Sequence, residues 1–552
     1  MVTRGNMRQA RAASFAVLAW LWAVAGCAST GAVEQVRQEA QAAAQAAQQD
    51  MDVMQKKLSE AERALQTGSQ EERRKAGSLA RESAVSRANA EKLMRAIERL
   101  RGVRTSIQET DLRLVVLLSR HGVRSPLSHK PPLEAYTLRP ASWPSWKDLI
   151  EKPERAAKTE PGDASGYLTT KGKVLASHLG RYYRDLYASQ NLVPPSGACP
   201  QRGTIFFHAD NEERTIQTAE GLINGFVQGL APGDCGVVAQ VTPQPVDPLF
   251  HPQKANVCPV DTEAATKEIL EQVGGNPASL NERFKESLAI IQDVLQCCQP
   301  VACGDPATGA LATCTLTDIP ATVEVNSAKK TVSLTGPVQV GSLVSEIFEL
   351  EYVQGMPIDH CATTKGAECV GWEQVTPENL HAMLRIHTLD YALTQRIPAV
   401  AKAAGSNLAW QILGALEQGA MGAPRPGVLP PPQSRFVAFV GHDTNLANLG
   451  GLLGLSWHNP GFQPDDLPPA GALAFELHRV KATGQYLIRA FFVTETQEQM
   501  RDAIPLSLEH PPSRVRLSIP KCGADCPFDI FKTLAKAALD TRCIGPGKSS
   551  AP

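Results

Sequence analysis

The densest chemistry in the chain lies in one heptapeptide, Arg120-His121-Gly122-Val123-Arg124-Ser125-Pro126. Two arginines flank a histidine, and the glycine permits a tight turn and close backbone approach. Planar guanidinium forks suit the oxygens of a tetrahedral oxyanion. Neighbouring cations disfavour a charged imidazole, so His121 is expected to be neutral. A neutral imidazole is a competent nucleophile toward phosphorus. A second group, Gly441-His442-Asp443-Thr444-Asn445, sets a histidine beside an acid. Alone, such a pair is commonly structural. A third, Asp210-Asn211-Glu212-Glu213-Arg214-Thr215, offers another guanidinium in Arg214. On its own it also reads as a solvated charge run. Neither HExxH nor a Walker A pattern occurs, and guanidinium groups already supply positive charge. No metal and no cofactor is therefore expected.

Each group follows a continuous apolar run: 112–118 (LRLVVLL), 436–440 (FVAFV) and 204–208 (TIFFH). Such runs are expected of parallel strands buried on both faces. Open α/β sheets place their ligands just beyond the carboxyl ends of such strands. Helical patterns lie between, at 173–187 and 343–353. The alternation predicts an α/β sheet with large helical insertions.

A chain of 552 residues suffices for two or three domains. The formal net charge of −1 argues against a general nucleic-acid binder, and none is expected as partner. The mean hydropathy of −0.18 argues against a polytopic membrane protein. Composition divides the chain: no proline precedes Pro126, no aromatic lies between Trp22 and Tyr136, and only Cys27 precedes Cys199.

The first segment reads as an export signal. Arg4, Arg8 and Arg11 form a basic region ahead of an apolar run at 12–25, too short to span a bilayer comfortably. It ends in Val24-Ala25-Gly26-Cys27, similar to a bacterial lipobox, so Cys27 is expected to carry lipid. Ala28 follows rather than an acid, which favours outer-membrane retention. A chance cysteine behind an ordinary signal is the alternative. From Ala32 to about Leu100, apolar residues recur at steps of three and four, a coiled-coil-like stripe that Gly68 and Ser69 interrupt. It reads as a spacer with self-association through its stripe, or as a charged, partly disordered linker. The twelve later cysteines, an even number behind an export signal, read as disulfides.

RHGVRSP together with GHDTN resembles the histidine acid phosphatases, in particular the bacterial periplasmic branch of phytases and glucose-1-phosphatases. The likeness runs from Leu112 to Cys543, supported by DPLF at 247–250, QRIP at 395–398 and the later QEQMRDAIPLSL. It implies a phosphoglycerate-mutase-like mixed α/β sheet flanked by helices, with a largely helical second domain. It implies that His121 is phosphorylated, that Arg120, Arg124, Arg214 and His442 hold the phosphate, and that Asp443 gives a proton to the leaving oxygen. Thr444, Glu346 and Arg396 fall at substrate-pocket positions. Implied disulfides are Cys199–Cys235, Cys258–Cys543, Cys522–Cys526 and Cys303–Cys314. Cys361 and Cys369 form a further candidate pair without clear counterpart, and Cys297 and Cys298 stay unassigned. Phytases carry Thr-Lys just after the motif, where this chain has Leu127-Ser128, so one cation toward a multiply charged substrate is missing.

The expected organisation is a lipoprotein signal (1–27), a helical stalk (28–110), a phosphatase domain (111–545, with a helical insert at roughly 136–330) and a short tail (546–552). The expected activity is hydrolysis of small phosphomonoesters, sugar phosphates or phytate, in the periplasm or envelope on a lipid anchor, and the long helical stalk is foreign to the soluble periplasmic relatives. The rivals are a mutase-like phosphotransferase and a noncatalytic lipoprotein with a relic domain. Replacing Cys27 by serine is expected to move phosphatase activity from the membrane to the soluble fraction. A wild-type chain found unlipidated by mass spectrometry and wholly soluble would remove the anchor.

Overall fold

The computed structural model describes residues 109–138, 143–144, 146–150, 165–228, 230, 235–303, 314–327, 330–358, 372 and 374–545. The signal segment with Cys27, the stalk up to residue 108, Cys361, Cys369 and the tail at 546–552 lie outside them. The strands are β1 (Thr110–Arg120), β2 (Ile205–Ala209), β3 (Ala239–Val241), β4 (Val323–Asn326), β5 (Thr331–Leu334), β6 (Phe436–Gly441), β7 (Ala472–Val480), β8 (Tyr486–Thr494), β9 (Ser513–Leu517) and β10 (Cys526–Pro527). The main sheet has the order β10-β8-β7-β1-β6-β2-β3, with β9 also paired to β8.

The sheet is mixed. β1, β6, β2 and β3 run parallel, whereas β7 and β8 continue it antiparallel on the other side of β1. The continuous apolar run of β1 still obeys the two-residue period of a strand. Val115 and Leu117 face the helices Thr170–Ser189 and Glu213–Phe226. Leu114, Val116 and Leu118 face the helices Pro398–Met421, Asp443–Leu453 and Phe528–Ala538. Both faces are covered, which is why the sequence shows no polar alternation there.

A separate core belongs to a helical lobe. It is built on the helices Thr262–Gln272, Lys285–Leu295, Pro337–Gln354 and Pro377–Thr394, with the hairpin β4–β5 at one side. Trp372 is fully buried there, its ring 4.6 Å from that of Trp143 and 5.2 Å from that of Phe348. The boundaries differ from the insert read at roughly 136–330. Helix Thr170–Ser189, β2 and helix Glu213–Phe226 pack on the sheet, whereas the lobe's core continues past residue 330 to Ala403. Helical periodicity shows that a face is buried but not against which partner, so the sequence pattern could not separate these helices.

Cys199–Cys235, Cys258–Cys543, Cys303–Cys314 and Cys522–Cys526 are paired as the resemblance implied. Cys297 and Cys298, left unassigned by sequence, are placed as a pair of neighbours. No helix among the described residues is long and apolar enough to cross a membrane.

Two close approaches order the helical layer beneath the first motif. A Cβ on Gly172 would overlap the Val123 carbonyl, so the start of helix Thr170–Ser189 sits directly on the motif loop. Thr169 caps that helix by accepting from the Gly172 amide at 2.8 Å. Farther along, Gly180 meets the Leu222 backbone of helix Glu213–Phe226 with no room for a methyl group. Gly180→Ala is therefore expected to destabilise the fold by about 1–3 kcal/mol through overpacking, read as a lower urea midpoint. An unchanged midpoint would show that this crossing relaxes freely.

Candidate active site

The parallel half of the sheet brings the three sequence groups to one edge. Arg120 ends β1 and pairs in register with Gly441 at the end of β6. The His121 amide donates to the Gly441 carbonyl at 2.9 Å, and the Asp210 amide donates to the Val440 carbonyl at 3.0 Å. His121, His442 and Asp210 thus leave three adjacent strands at the same level. The rings of His121 and His442 are 5.6 Å apart.

His121 is almost fully buried. Its Nδ1 lies 3.0 Å from the Gly122 carbonyl, which only accepts. A neutral ring therefore carries its hydrogen on Nδ1 and leaves the Nε2 lone pair available. Burial, then the charges of Arg214, Arg120 and Arg124, push its pKa well below the ordinary imidazole value. Both effects favour the neutral ring.

Arg120 is buried without any exposure. Its guanidinium meets the Leu467 carbonyl, the Glu346 carboxylate and, at 3.0 Å, Asp443 Oδ2. Arg124 reaches the same Glu346 oxygen at 2.8 Å. Burial alone would raise the pKa of Glu346 and of Asp443, but the two guanidinium groups outweigh it and hold both below their usual values. The helix Pro337–Gln354 carries Glu346 from the lobe to the sheet edge, which links the two cores at this point.

The His442 side is organised by Asp210. Asp210 Oδ2 lies 2.8 Å from His442 Nε2 and 2.9 Å from His251 Nε2. Burial would raise Asp210, but the hydrogen bonds from His251 and His442 overcome it and hold the carboxyl well below its normal range. Arg214 Nη2 lies 3.4 Å from His442 Nδ1 and pairs with Glu212 through the same nitrogen. The His442 amide donates to Asn445 Oδ1 at 2.9 Å, which fixes the start of helix Asp443–Leu453. Behind Asp443, the Tyr391 hydroxyl is in hydrogen-bonding reach, and its pKa rises well above normal through burial and then the Asp443 charge. The His387 ring lies 4.8 Å from that of Tyr391, and Ser342 Oγ lies 3.1 Å from His387 Nδ1.

The remaining pocket candidates separate. The Thr444 amide donates to Asp443 Oδ1 at 2.7 Å, so Thr444 stands at the cluster. Leu127 is partly exposed and lies over Gly166, where a Cβ would also approach Arg214 Nη1. The Ser128 amide donates to Ser165 Oγ at 2.7 Å. His129 is near enough for the charges of Glu346 and Arg124 to act on it. Arg396 is held elsewhere: its guanidinium donates to the Leu455 carbonyl at 2.6 Å, pairs with Asp465 at 3.3 Å and lies 5.0 Å from the Trp457 ring. Sequence reading gave no role to His251, Asp210 or Tyr391. His251 directly follows the DPLF stretch, but nothing in local spacing announces a contact with Asp210 across 41 residues.

Comparison with known proteins gives the family and the fold. The model of the histidine phosphatase superfamily (branch 2) matches residues 111–493. Phytase AppA of Escherichia coli is 35% identical over 418 residues, covering 75% of this chain and 88% of the relative. A glucose-1-phosphatase of Salmonella typhimurium is 27% identical, covering 79% and 94%. The apo structure of a phytase from Hafnia alvei superimposes with a TM-score of 0.67 at 32% identity, over 79% of this chain and 99% of that one. The chain belongs to the histidine phosphatase superfamily, branch 2, and is an enzyme of the histidine acid phosphatase type.

Proposed function

We propose that the chain hydrolyses small phosphomonoesters through a phosphohistidine at His121, held at a membrane of the cell envelope by Cys27. The observation that carries the chemistry is the buried, neutral His121 with its Nε2 free, set among Arg120, Arg124 and Arg214. The three guanidinium groups and His442 hold the equatorial oxygens and stabilise their charge in the transition state. His121 Nε2 forms a bond to phosphorus as the ester P–O bond breaks. Asp443 gives its proton to the departing oxygen. It then takes a proton from water, which attacks the phosphohistidine and releases phosphate.

The free site holds Asp443 as a carboxylate against Arg120 and Arg124. The proton must therefore enter with substrate. A phosphomonoester monoanion brings one, and its charge offsets the guanidinium field that keeps Asp443 ionised. The monoanion is lost as pH rises through about 6, the second pKa of a phosphomonoester. On the acid side, the lowered pKa of His121 preserves the nucleophile well below its ordinary value of 6.5. Leu127-Ser128 puts no lysine beside the motif, so simple monoesters, sugar phosphates among them, are preferred to phytate. Phytase and glucose-1-phosphatase relatives make both substrate classes the ones to compare.

A panel of p-nitrophenyl phosphate, glucose 1-phosphate and phytate across pH tests this reading. The expected kcat/KM is flat through mildly acidic pH, falls above about 6, is insensitive to EDTA and is not highest for phytate. An alkaline optimum, or loss in EDTA with rescue by zinc, would remove the mechanism. A phytate value well above every simple monoester would overturn the substrate preference alone.

Nucleophile and acid are separable by leaving group. His121→Ala is expected to abolish turnover of every substrate. Asp443→Asn is expected to lower turnover of glucose phosphates by about 10²–10⁴-fold, the usual worth of a general acid. The first step with p-nitrophenyl phosphate should suffer much less, because p-nitrophenolate leaves as a stable anion. Phosphoenzyme should then accumulate and be seen as a burst in rapid kinetics. Equal loss of the first step on both substrates, with no burst, would take the proton-donor role from Asp443.

A further inference from the structure

At the edge of the proposed phosphate site stands a second cluster, which shares His442 with it and adds three groups that the reaction leaves without a task. Asp210, Glu212, His251 and His442 each offer one ligand atom, and these atoms all lie within 4.8 Å of one another. They come from three places in the chain: the end of β2, the loop after DPLF and the end of β6. Two imidazole nitrogens, His251 Nε2 and His442 Nε2, aim at the same oxygen, Asp210 Oδ2, at 2.9 and 2.8 Å. Glu212 Oε1 lies 3.6 Å from His251 Nε2. A second observation is independent of these contacts. Asp210 is fully buried, yet its Oδ1 has no hydrogen-bond partner among the described residues. A buried carboxylate oxygen left in this way costs free energy that a cation would recover.

From this cluster we infer an inhibitory binding site for zinc or a similar borderline divalent cation, formed by His251, His442, Asp210 and Glu212. Donors about 2.0–2.2 Å from a tetrahedral zinc lie about 3.3–3.6 Å from one another. The His251–Glu212 spacing already fits, the two shorter spacings need open by about half an ångström, and the wider ones, all within 4.8 Å, need close by about an ångström at most. Two nitrogens and two carboxylate oxygens suit zinc and disfavour magnesium, which prefers an all-oxygen octahedron.

Binding has a cost for the reaction. To ligate through Nε2, each neutral imidazole moves its hydrogen to Nδ1. In His442 that hydrogen then faces Arg214 Nη2, which lies 3.4 Å away, donor against donor. Glu212, which pairs with the same guanidinium, is drawn to the ion. Bound zinc therefore disturbs both His442 and Arg214. The binding half of the inference stands on geometry alone, and the inhibitory half rests on the roles proposed above for those two residues.

The test is zinc titration of the purified full-length chain by calorimetry, with p-nitrophenyl phosphate turnover measured alongside. The expected result is one zinc per chain that a tenfold excess of magnesium does not displace, with turnover falling as the site fills. His251→Asn keeps a donor for Asp210 but removes a ligand, and should weaken zinc at least tenfold. Glu212→Gln, at the more exposed side of the cluster, should weaken it too and serves if the first variant does not fold. No zinc bound at millimolar concentration, or affinity unchanged in both variants, overturns the site. Zinc that binds there without slowing turnover overturns the inhibitory half. A chain that binds zinc as expected but hydrolyses no monoester even without zinc leaves the site standing and removes the proposed function.

Discussion

Arg120 is the constraint on which the rest of the molecule turns. A guanidinium cannot be neutralised at any ordinary pH, and this one has no access to water. Removing such a charge from solvent costs several kcal/mol unless excellent partners surround it. Its partners come from three separate stretches: Glu346 on a lobe helix, Asp443 at the start of another helix, and the Leu467 carbonyl before β7. None of these stretches is near Arg120 in sequence. The lobe cannot drift from the sheet without stripping a buried cation of a carboxylate. The same contacts prepare the site, because they fix a guanidinium before any ligand arrives.

The second organising fact is that three parallel strands end together. Successive strands of a parallel set point their carboxyl ends the same way, so short motifs far apart in sequence converge at one edge. Here that edge joins two electrostatic regimes. On one side burial and guanidinium groups keep His121 neutral, and guanidinium groups keep Asp443 ionised. On the other, Asp210 gathers two imidazoles through one oxygen. His442 stands at the boundary, with one nitrogen toward each side.

What could be read from the sequence follows from this division. RHG and GHD were legible because each directly follows a run too apolar to be anything but a buried strand, and strand ends are local information. The sheet's class followed for the same reason. The disulfides were legible through family resemblance, not spacing. The contacts that cross between elements were not. Nothing local in the DPLF loop shows that His251 meets Asp210, and nothing beside Tyr391 in sequence shows that it meets Asp443. Arg396 fell at a pocket position by family resemblance, but its guanidinium is taken by Asp465, the Leu455 carbonyl and the face of Trp457. The lobe's limits were misjudged because a buried helical face looks the same whichever core receives it.

The Cys258–Cys543 pair spans 285 residues, and Cys543 is the last cysteine of the chain. Synthesis proceeds from the amino end, so Cys258 emerges long before its partner exists. In that interval Cys297, Cys298, Cys303 and Cys314 all come within its reach. An oxidant that joins cysteines in order of appearance would therefore make the wrong bond. The native bond depends on delay or on reshuffling once Cys543 arrives. A chain that stops before Cys543 would lose this closure and leave Cys258 in the lobe without its native partner. The covalent closure of the helical lobe thus waits for a residue made 285 positions after Cys258.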